Sequence, residues 1–142
     1  MSRAVVTPET IEEFLRRDEW PFERIDDHTW RSGFRGETNS FRFFVRLAED
    51  WVFFTIVPFV VAPRSSACER PLFRHLLRLN REVTLAKFAL DDYDDVVLSV
   101  ELPRHNLDFS EFKDGLDALS YYADKHYLEV LRLSQDDAAR PS

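Results

Sequence analysis

The apolar run from Trp51 to Ala62, interrupted only by Thr55, constrains this chain more than any other stretch of its sequence. At twelve residues the run is too short for a membrane-spanning helix, which needs about 20 apolar residues. Aromatic and β-branched side chains dominate it, and such residues favour strands. The run therefore predicts a buried strand from Trp51 to Val61 that ends before Pro63.

Both faces of this predicted strand are apolar, whereas a sheet with helices on one side only should alternate apolar and polar side chains. Burying each large apolar side chain is worth about 1.5–3 kcal/mol, so a second face left in water would be costly. Either the predicted helices cover both faces, or another chain covers the second one. Pro58 indicates a bulge or an edge, where pairing with another chain is easiest. The face expected to need such cover consists of Val52, Phe54, Ile56 and Val60.

Turn and cap signals divide the rest of the chain into alternating groups of helices and strands. Thr7 with Pro8, and Asp108 with Glu111, are typical of helix N-termini. The predicted elements are a helix from Pro8 to before Pro21, strands 22–26, 29–35, 41–47 and 51–61, a helix opened by Pro71 and ending near Glu82, strands 84–90 and 96–102, and a helix from Asp108 to about Leu133.

This order predicts an α+β fold, α-β-β-β-β-α-β-β-α, in which an antiparallel sheet of five to six strands packs against three helices. A chain of 142 residues is a typical length for one domain. We therefore expect residues 1–142 to form a single domain, with its core between about 7 and 133 and a disordered tail at 134–142.

The charge and cysteine content exclude several classes of protein. A net charge of −7 argues against nucleic-acid binding, which needs concentrated positive charge, and favours a basic or amphipathic protein partner. A single cysteine, Cys68, allows no intrachain disulfide and fits a reducing compartment. With no secretory signal pattern and no membrane-spanning run, we expect a cytoplasmic protein that contacts no membrane.

No residue pattern indicates catalysis. The acidic turn Asp91-Asp92-Tyr93-Asp94-Asp95 lacks the glycine and closing glutamate of a calcium loop, so it is interpreted as a solvated turn. The four histidines follow no metal-binding spacing. The sequence therefore predicts no enzyme activity, no cofactor and no metal site.

Three sets of residues are candidates for contact with a partner or a second copy. The second face of the apolar strand is one, and Phe44 of the preceding strand adds to it. Tyr121 and Leu128 lie off the apolar stripe of the last helix. A basic stripe on the second helix, either a solvated face or a charged contact, consists of Arg70, Arg74, Arg78 and Arg81.

The stretch Leu76–Glu82 running into Leu85–Leu90, then the acidic turn, Val96–Leu102 and the long last helix resemble the YbjN family and the class I type III secretion chaperone-like fold. The resemblance covers most of residues 7 to 133. It implies a homodimer with a protein-binding role, and it carries over no catalytic or cofactor residues.

The leading hypothesis is a non-enzymatic protein-binding module, a small acidic dimeric chaperone-like or regulatory adaptor that holds a segment of a partner. The alternative is a small-molecule sensor with an aromatic-lined pocket. That pocket would be formed by Trp30, Phe41, Phe43, Trp51 and Phe53.

Overall fold

The computed structural model describes residues 5–135. Its elements, in chain order, are α1 (Pro8–Arg17), β1 (Glu23–Asp26), β2 (Thr29–Arg35), β3 (Ser40–Leu47), β4 (Trp51–Val60), α2 (Ser66–Glu82), β5 (Ala86–Leu90), β6 (Val96–Pro103) and α3 (Phe109–Gln135). The six strands form one antiparallel sheet in the order β1-β2-β3-β4-β6-β5. The predicted α+β order and strand count are confirmed. Within this part of the chain, no helix is both long and apolar enough to cross a membrane.

One face of the sheet, the inner face, packs against the helices and forms the core. The strand residues that it buries are Trp30, Phe41, Phe43, Val45, Leu47, Val52, Phe54, Ile56, Phe88, Val96, Leu98, Val100 and Leu102. α3 lies across the centre of this face, where the Phe112 ring meets the Phe54 ring edge-on at 5.0 Å. Gly115 makes this close approach possible, because a Cβ atom there would lie 2.8 Å from Phe54 Cε2 and 2.9 Å from Leu102 Cδ1.

The prediction that Val52, Phe54, Ile56 and Val60 form a surface for another chain is wrong, because all four are at most 3% exposed within this single chain. The register explains the error. Val45 of β3 pairs with Phe54, so the even-numbered side chains of β4 share the face of the odd-numbered side chains of β3. Phe54 and Ile56 are core residues, and replacing them would destabilise the chain rather than uncouple a partner.

The far end of β4 changes register, as Pro58 suggested. The pairing of β4 with β6 is irregular between Ile56 and Val60. This bulge brings Phe59 to the inner face, where its ring packs near Phe41, Phe88 and Tyr127 at 5.7–5.9 Å between centroids. In this bulged segment Phe59 and Val60 are both buried, and Val60 still pairs with Val96 of the inner face.

The helix ends follow the predicted caps with two corrections. Thr7 and Thr10 exchange hydrogen bonds at the start of α1, and Asp108 and Glu111 do so at the start of α3. α2 begins at Ser66, five residues before Pro71, because the first turn is anchored by buried Cys68 and closes with a Cys68 N–H to Ser65 C=O bond of 3.0 Å.

The second correction concerns the predicted tail at 134–142. Ser134 is fully buried and, with Gln135, belongs to α3. The Arg64 N–H donates a hydrogen bond of 2.7 Å to the Ser134 carbonyl oxygen, which ties the end of α3 to the segment before α2. The rest of the predicted tail, 136–142, lies outside the described residues.

The loop between β2 and β3 is fixed to α3 by one carboxylate. Asp124 accepts hydrogen bonds from the Thr38 hydroxyl at 2.6 Å, the Thr38 N–H at 2.8 Å and the Glu37 N–H at 3.0 Å. These bonds, led by the one from the Thr38 hydroxyl, lower the pKa of Asp124. A Cβ atom at Gly36 would overlap Asp124 Oδ1, so a larger residue there would displace this carboxylate from the loop.

Candidate functional site

The face of the sheet opposite the helices, here called the outer face, is the candidate site. Its side chains alternate with those of the core along each strand, and the strand registers bring them together. They are Thr29, Arg31 and Arg35 of β2, Arg42, Phe44 and Arg46 of β3, Trp51, Phe53, Thr55 and Val57 of β4, Val97, Ser99 and Glu101 of β6, and Lys87 and Ala89 of β5.

The centre of the outer face is apolar and is left open by the helices of residues 5–135. Trp51 is 44% exposed and Val57 is 40% exposed, although both lie on a central strand. Phe44 and Phe53 are half-buried between their neighbours. Apolar side chains clustered on an exposed face are typical of contact surfaces, whereas single exposed ones are ordinary.

Charged side chains surround this apolar centre. The Arg46 guanidinium lies over the Phe53 ring, 4.6 Å from its centroid. Toward one edge of the sheet Arg31 pairs with Glu23 at 2.5 Å, and toward the other Lys87 pairs with Glu101 at 2.5 Å. An apolar patch inside a charged rim is the usual layout of a protein interface.

Three of the predicted contact residues are accessible and three important ones were missed. Phe44 lies on the outer face, and Tyr121 and Leu128 are 59% and 58% exposed on α3. The missed residues are Trp51, Phe53 and Val57, which lie on the face of β4 opposite to the predicted contact face. The signal that could have found them is the short turn between β3 and β4, because its length sets which face each residue of β4 occupies.

The predicted basic stripe of α2 is exposed, as expected for either of its two interpretations. Within residues 5–135, Arg70, Arg74, Arg78 and Arg81 form no ion pair. Leu77, an apolar residue of the same helix, is 72% exposed. Pairing of this stripe with carboxylates of α3 is therefore not seen among these residues.

The pocket of the sensor hypothesis does not form, because its five aromatic residues lie on opposite sides of the sheet. Trp30, Phe41 and Phe43 are buried on the inner face, and the Trp30 indole N–H donates to Glu12 at 2.8 Å. Trp51 and Phe53 lie on the outer face. The five residues therefore line no common cavity.

One edge of the sheet is closed by a side chain. The Asn80 amide of α2 accepts a hydrogen bond from the Phe88 N–H at 2.7 Å and donates one to the Phe88 carbonyl at 2.9 Å. In doing so it takes the place of a neighbouring strand beside β5. The other edge, formed by β1 and the end of β2, borders an open groove of about 700 Å³.

The titratable groups form no recognisable reaction centre in the described residues. The acidic turn is held by its own carboxylates, since Asp91 accepts from the N–H groups of Tyr93 and Asp95 at 2.8 and 3.0 Å. Burial, then the nearby charge of Lys125, lowers the pKa of His126. In residues 5–135 no three His, Cys, Asp or Glu side chains are grouped as metal ligands.

Comparison with solved structures identifies the fold. The chain is similar to YbjN from E. coli, with a TM-score of 0.65, 16% identity, and 90% of this chain and 96% of that chain covered. It is similar to a chain of the heterodimeric ExoU–SpcU complex from the type III secretion system of Pseudomonas aeruginosa (TM-score 0.58, 18% identity, 87% and 97% covered). A chain of the ExsC–ExsE complex gives a TM-score of 0.61 at 16% identity, with 89% and 97% covered.

At these identities the structural matches establish the fold alone, and they confirm the expected secretion chaperone-like architecture. No curated protein sequence matches the chain significantly. The family model of YbjN, described as "Putative bacterial sensory transduction regulator", matches residues 7–132, which is most of the 142-residue chain. The chain belongs to the YbjN family.

Proposed function

We propose that this chain is a non-enzymatic protein-binding module, a chaperone-like or regulatory adaptor that holds a segment of a partner protein on the outer face. The observation that carries the proposal is the exposure of Trp51 and Val57 on a central strand, beside half-buried Phe44 and Phe53. Two of the similar solved structures, ExoU–SpcU and ExsC–ExsE, are complexes of two proteins, which supports the same kind of role. The lone cysteine still favours a cytoplasmic setting.

The test is partner capture by tagged chains that differ only at the surface. We expect the double variant Phe44→Ser, Phe53→Ser to lose the partner that the wild-type chain retains, because truncated anchors remove burial only in the complex. Leu77→Ser is the matched control, since Leu77 is an exposed apolar residue on the helical side. Circular dichroism checks that both variants are folded.

A second variant guards against partial unfolding, because Phe44 and Phe53 are half-buried. Trp51→Ser with Val57→Ser changes side chains that are 44% and 40% exposed, so its fold should be retained. If both folded double variants capture the same partner as the wild-type chain, the outer face is not the binding site.

We further propose a homodimer that uses the exposed residues Tyr121 and Leu128 of α3, which leaves the outer face free for the partner. Light scattering should give about twice the chain mass of 16.8 kDa, and Tyr121→Ser with Leu128→Ser should lower it. A wild-type mass near 16.8 kDa at micromolar concentration would show that the chain is a monomer.

A further inference from the structure

The charge on the outer face is opposite in sign to the charge of the whole chain. The chain carries a net charge of −7, yet Arg31, Arg35, Arg42 and Arg46 occupy outer positions of β2 and β3. Two carboxylates on the same face, Glu23 and Glu101, are already paired with Arg31 and Lys87. The accessible charge beside the apolar centre is therefore positive.

Three of these arginines, Arg35, Arg42 and Arg46, lack a carboxylate partner in residues 5–135, and the last two lie beside the apolar centre. Arg42 and Arg46 are exposed, and neither forms an ion pair there. Both flank Phe44 on β3, and the Arg46 guanidinium also lies over the Phe53 ring, 4.6 Å from its centroid. A guanidinium in this position keeps its outward N–H groups free to bind a carboxylate in a bidentate way.

We propose that the outer face selects an acidic segment of a partner protein, in which carboxylates meet Arg42 and Arg46 while apolar side chains cover the exposed Trp51 and Val57. This inference rests on the proposed function and adds the chemical class of the partner. Such a segment satisfies the cations and the apolar centre together, whereas a neutral segment would leave the arginines partly desolvated without partners.

Two other occupants fit this face less well. A second copy would bring further arginines to it, while Glu23 and Glu101 are already engaged, so like charges would meet. Single-stranded nucleic acid binds exposed sheets by stacking bases on aromatic rings, but the Phe53 ring is covered by Arg46. The net charge of −7 would also repel a polyanion longer than the patch.

The experiment measures binding of three labelled synthetic peptides by fluorescence anisotropy. The peptides share leucine and tyrosine at alternate positions and carry Glu, Gln or Lys at the positions between. The variant is Arg42→Gln with Arg46→Gln. Its matched control is Arg74→Gln with Arg78→Gln, which removes the same charge from two exposed arginines of α2 that form no ion pair within residues 5–135.

We expect the Glu peptide to bind most tightly, and to bind about tenfold more weakly to the Arg42, Arg46 variant, as the loss of two exposed charge pairs implies. The α2 control should bind like the wild type. Added salt should weaken the binding of the Glu peptide more than the binding of the Gln peptide. The comparison of peptides and of salt uses the wild-type chain, so it decides the question even if a variant misfolds.

Four results would overturn the inference. The Gln peptide could bind as tightly as the Glu peptide and depend on Phe44 and Phe53, in which case the binding face is right and the charge selection is wrong. If the outer-face variant and the α2 control lose the same affinity for the Glu peptide, the attraction is unspecific. If a labelled oligouridylate, used as a further probe, binds more tightly than the Glu peptide, the face is a nucleic-acid site. Absence of binding by every peptide would also refute it, while partner capture decides the proposed function separately.

Discussion

The two rows of side chains on β4 are both apolar but have opposite surroundings. Val52, Phe54 and Ile56 are at most 2% exposed, whereas Trp51 and Val57 are 44% and 40% exposed on the same strand. The difference is the position of α3, which packs on one face and leaves the other open in residues 5–135. Hydrophobicity therefore predicts that a side chain benefits from burial, but it does not say whether this chain or a partner provides that burial.

The largest effect should separate adjacent residues of the two rows. Phe54→Ala removes a fully buried ring that meets Phe112 and should lower the free energy of unfolding by about 3–5 kcal/mol. Phe53→Ala, on the half-exposed side, should cost about 1 kcal/mol, mainly through its contact with Arg46. Urea denaturation measures both values, and equal losses would mean that the outer row is part of the core.

A second substitution sharpens the same comparison from the helix side. Gly115→Ala would place a Cβ atom 2.8 Å from Phe54 Cε2, so α3 would have to move away from the inner face. Such overpacking should cost about 1–3 kcal/mol. The control is Ala118→Gly, at a half-buried position of the same helix, where the effect is only the helix preference of about 1 kcal/mol. A gain of stability for Gly115→Ala would show that α3 lies farther from the sheet.

A third substitution concerns the hydrogen bonds between Asp124 of α3 and the loop that joins β2 to β3. Asp124→Ala should lower the urea midpoint at neutral pH, because Thr38 and Glu37 lose their acceptor. The pKa of Asp124 lies below its ordinary value of 3.8, so its contribution is complete above that pH and is lost as the pH falls through the folded-state pKa. The difference between wild type and variant should therefore shrink below about pH 3.8.

Both proteins are measured at each pH, so the titration of other carboxylates cancels in this difference. Nuclear magnetic resonance of the Asp124 carboxyl gives its pKa independently. A midpoint difference that stays constant down to pH 2 would contradict the assignment, as would a pKa above the ordinary carboxyl range.

The smallest effect is expected at the acidic turn, which belongs to neither face. Asp92→Asn with Asp94→Asn should change stability by less than about 0.5 kcal/mol, because the turn is held by Asp91 and Asp95. Asn suits position 94, where φ is 63°, since it tolerates the left-handed conformation. A rise in melting temperature on adding calcium would reveal a metal site instead.

Local signals in the sequence were sufficient to predict most of the fold. The cap at Thr7, the capping box at Asp108 and the hairpin at residues 26–28 act between near neighbours, so their outcome was readable from the chain. The start of α2 could not be predicted in this way. Pro71 is a typical first-turn residue, but here it lies within a helix that begins at Ser66.

What the sequence determined by itself is the set of elements, the α+β class and the excess of apolar side chains on β4. What only the tertiary structure decided is which side of β4 α3 covers. That choice depends on the register that pairs Val45 with Phe54, and a slip of one residue would exchange the two faces. The arginines beside the exposed face follow from the same register, so a chain that is acidic as a whole presents a basic surface there.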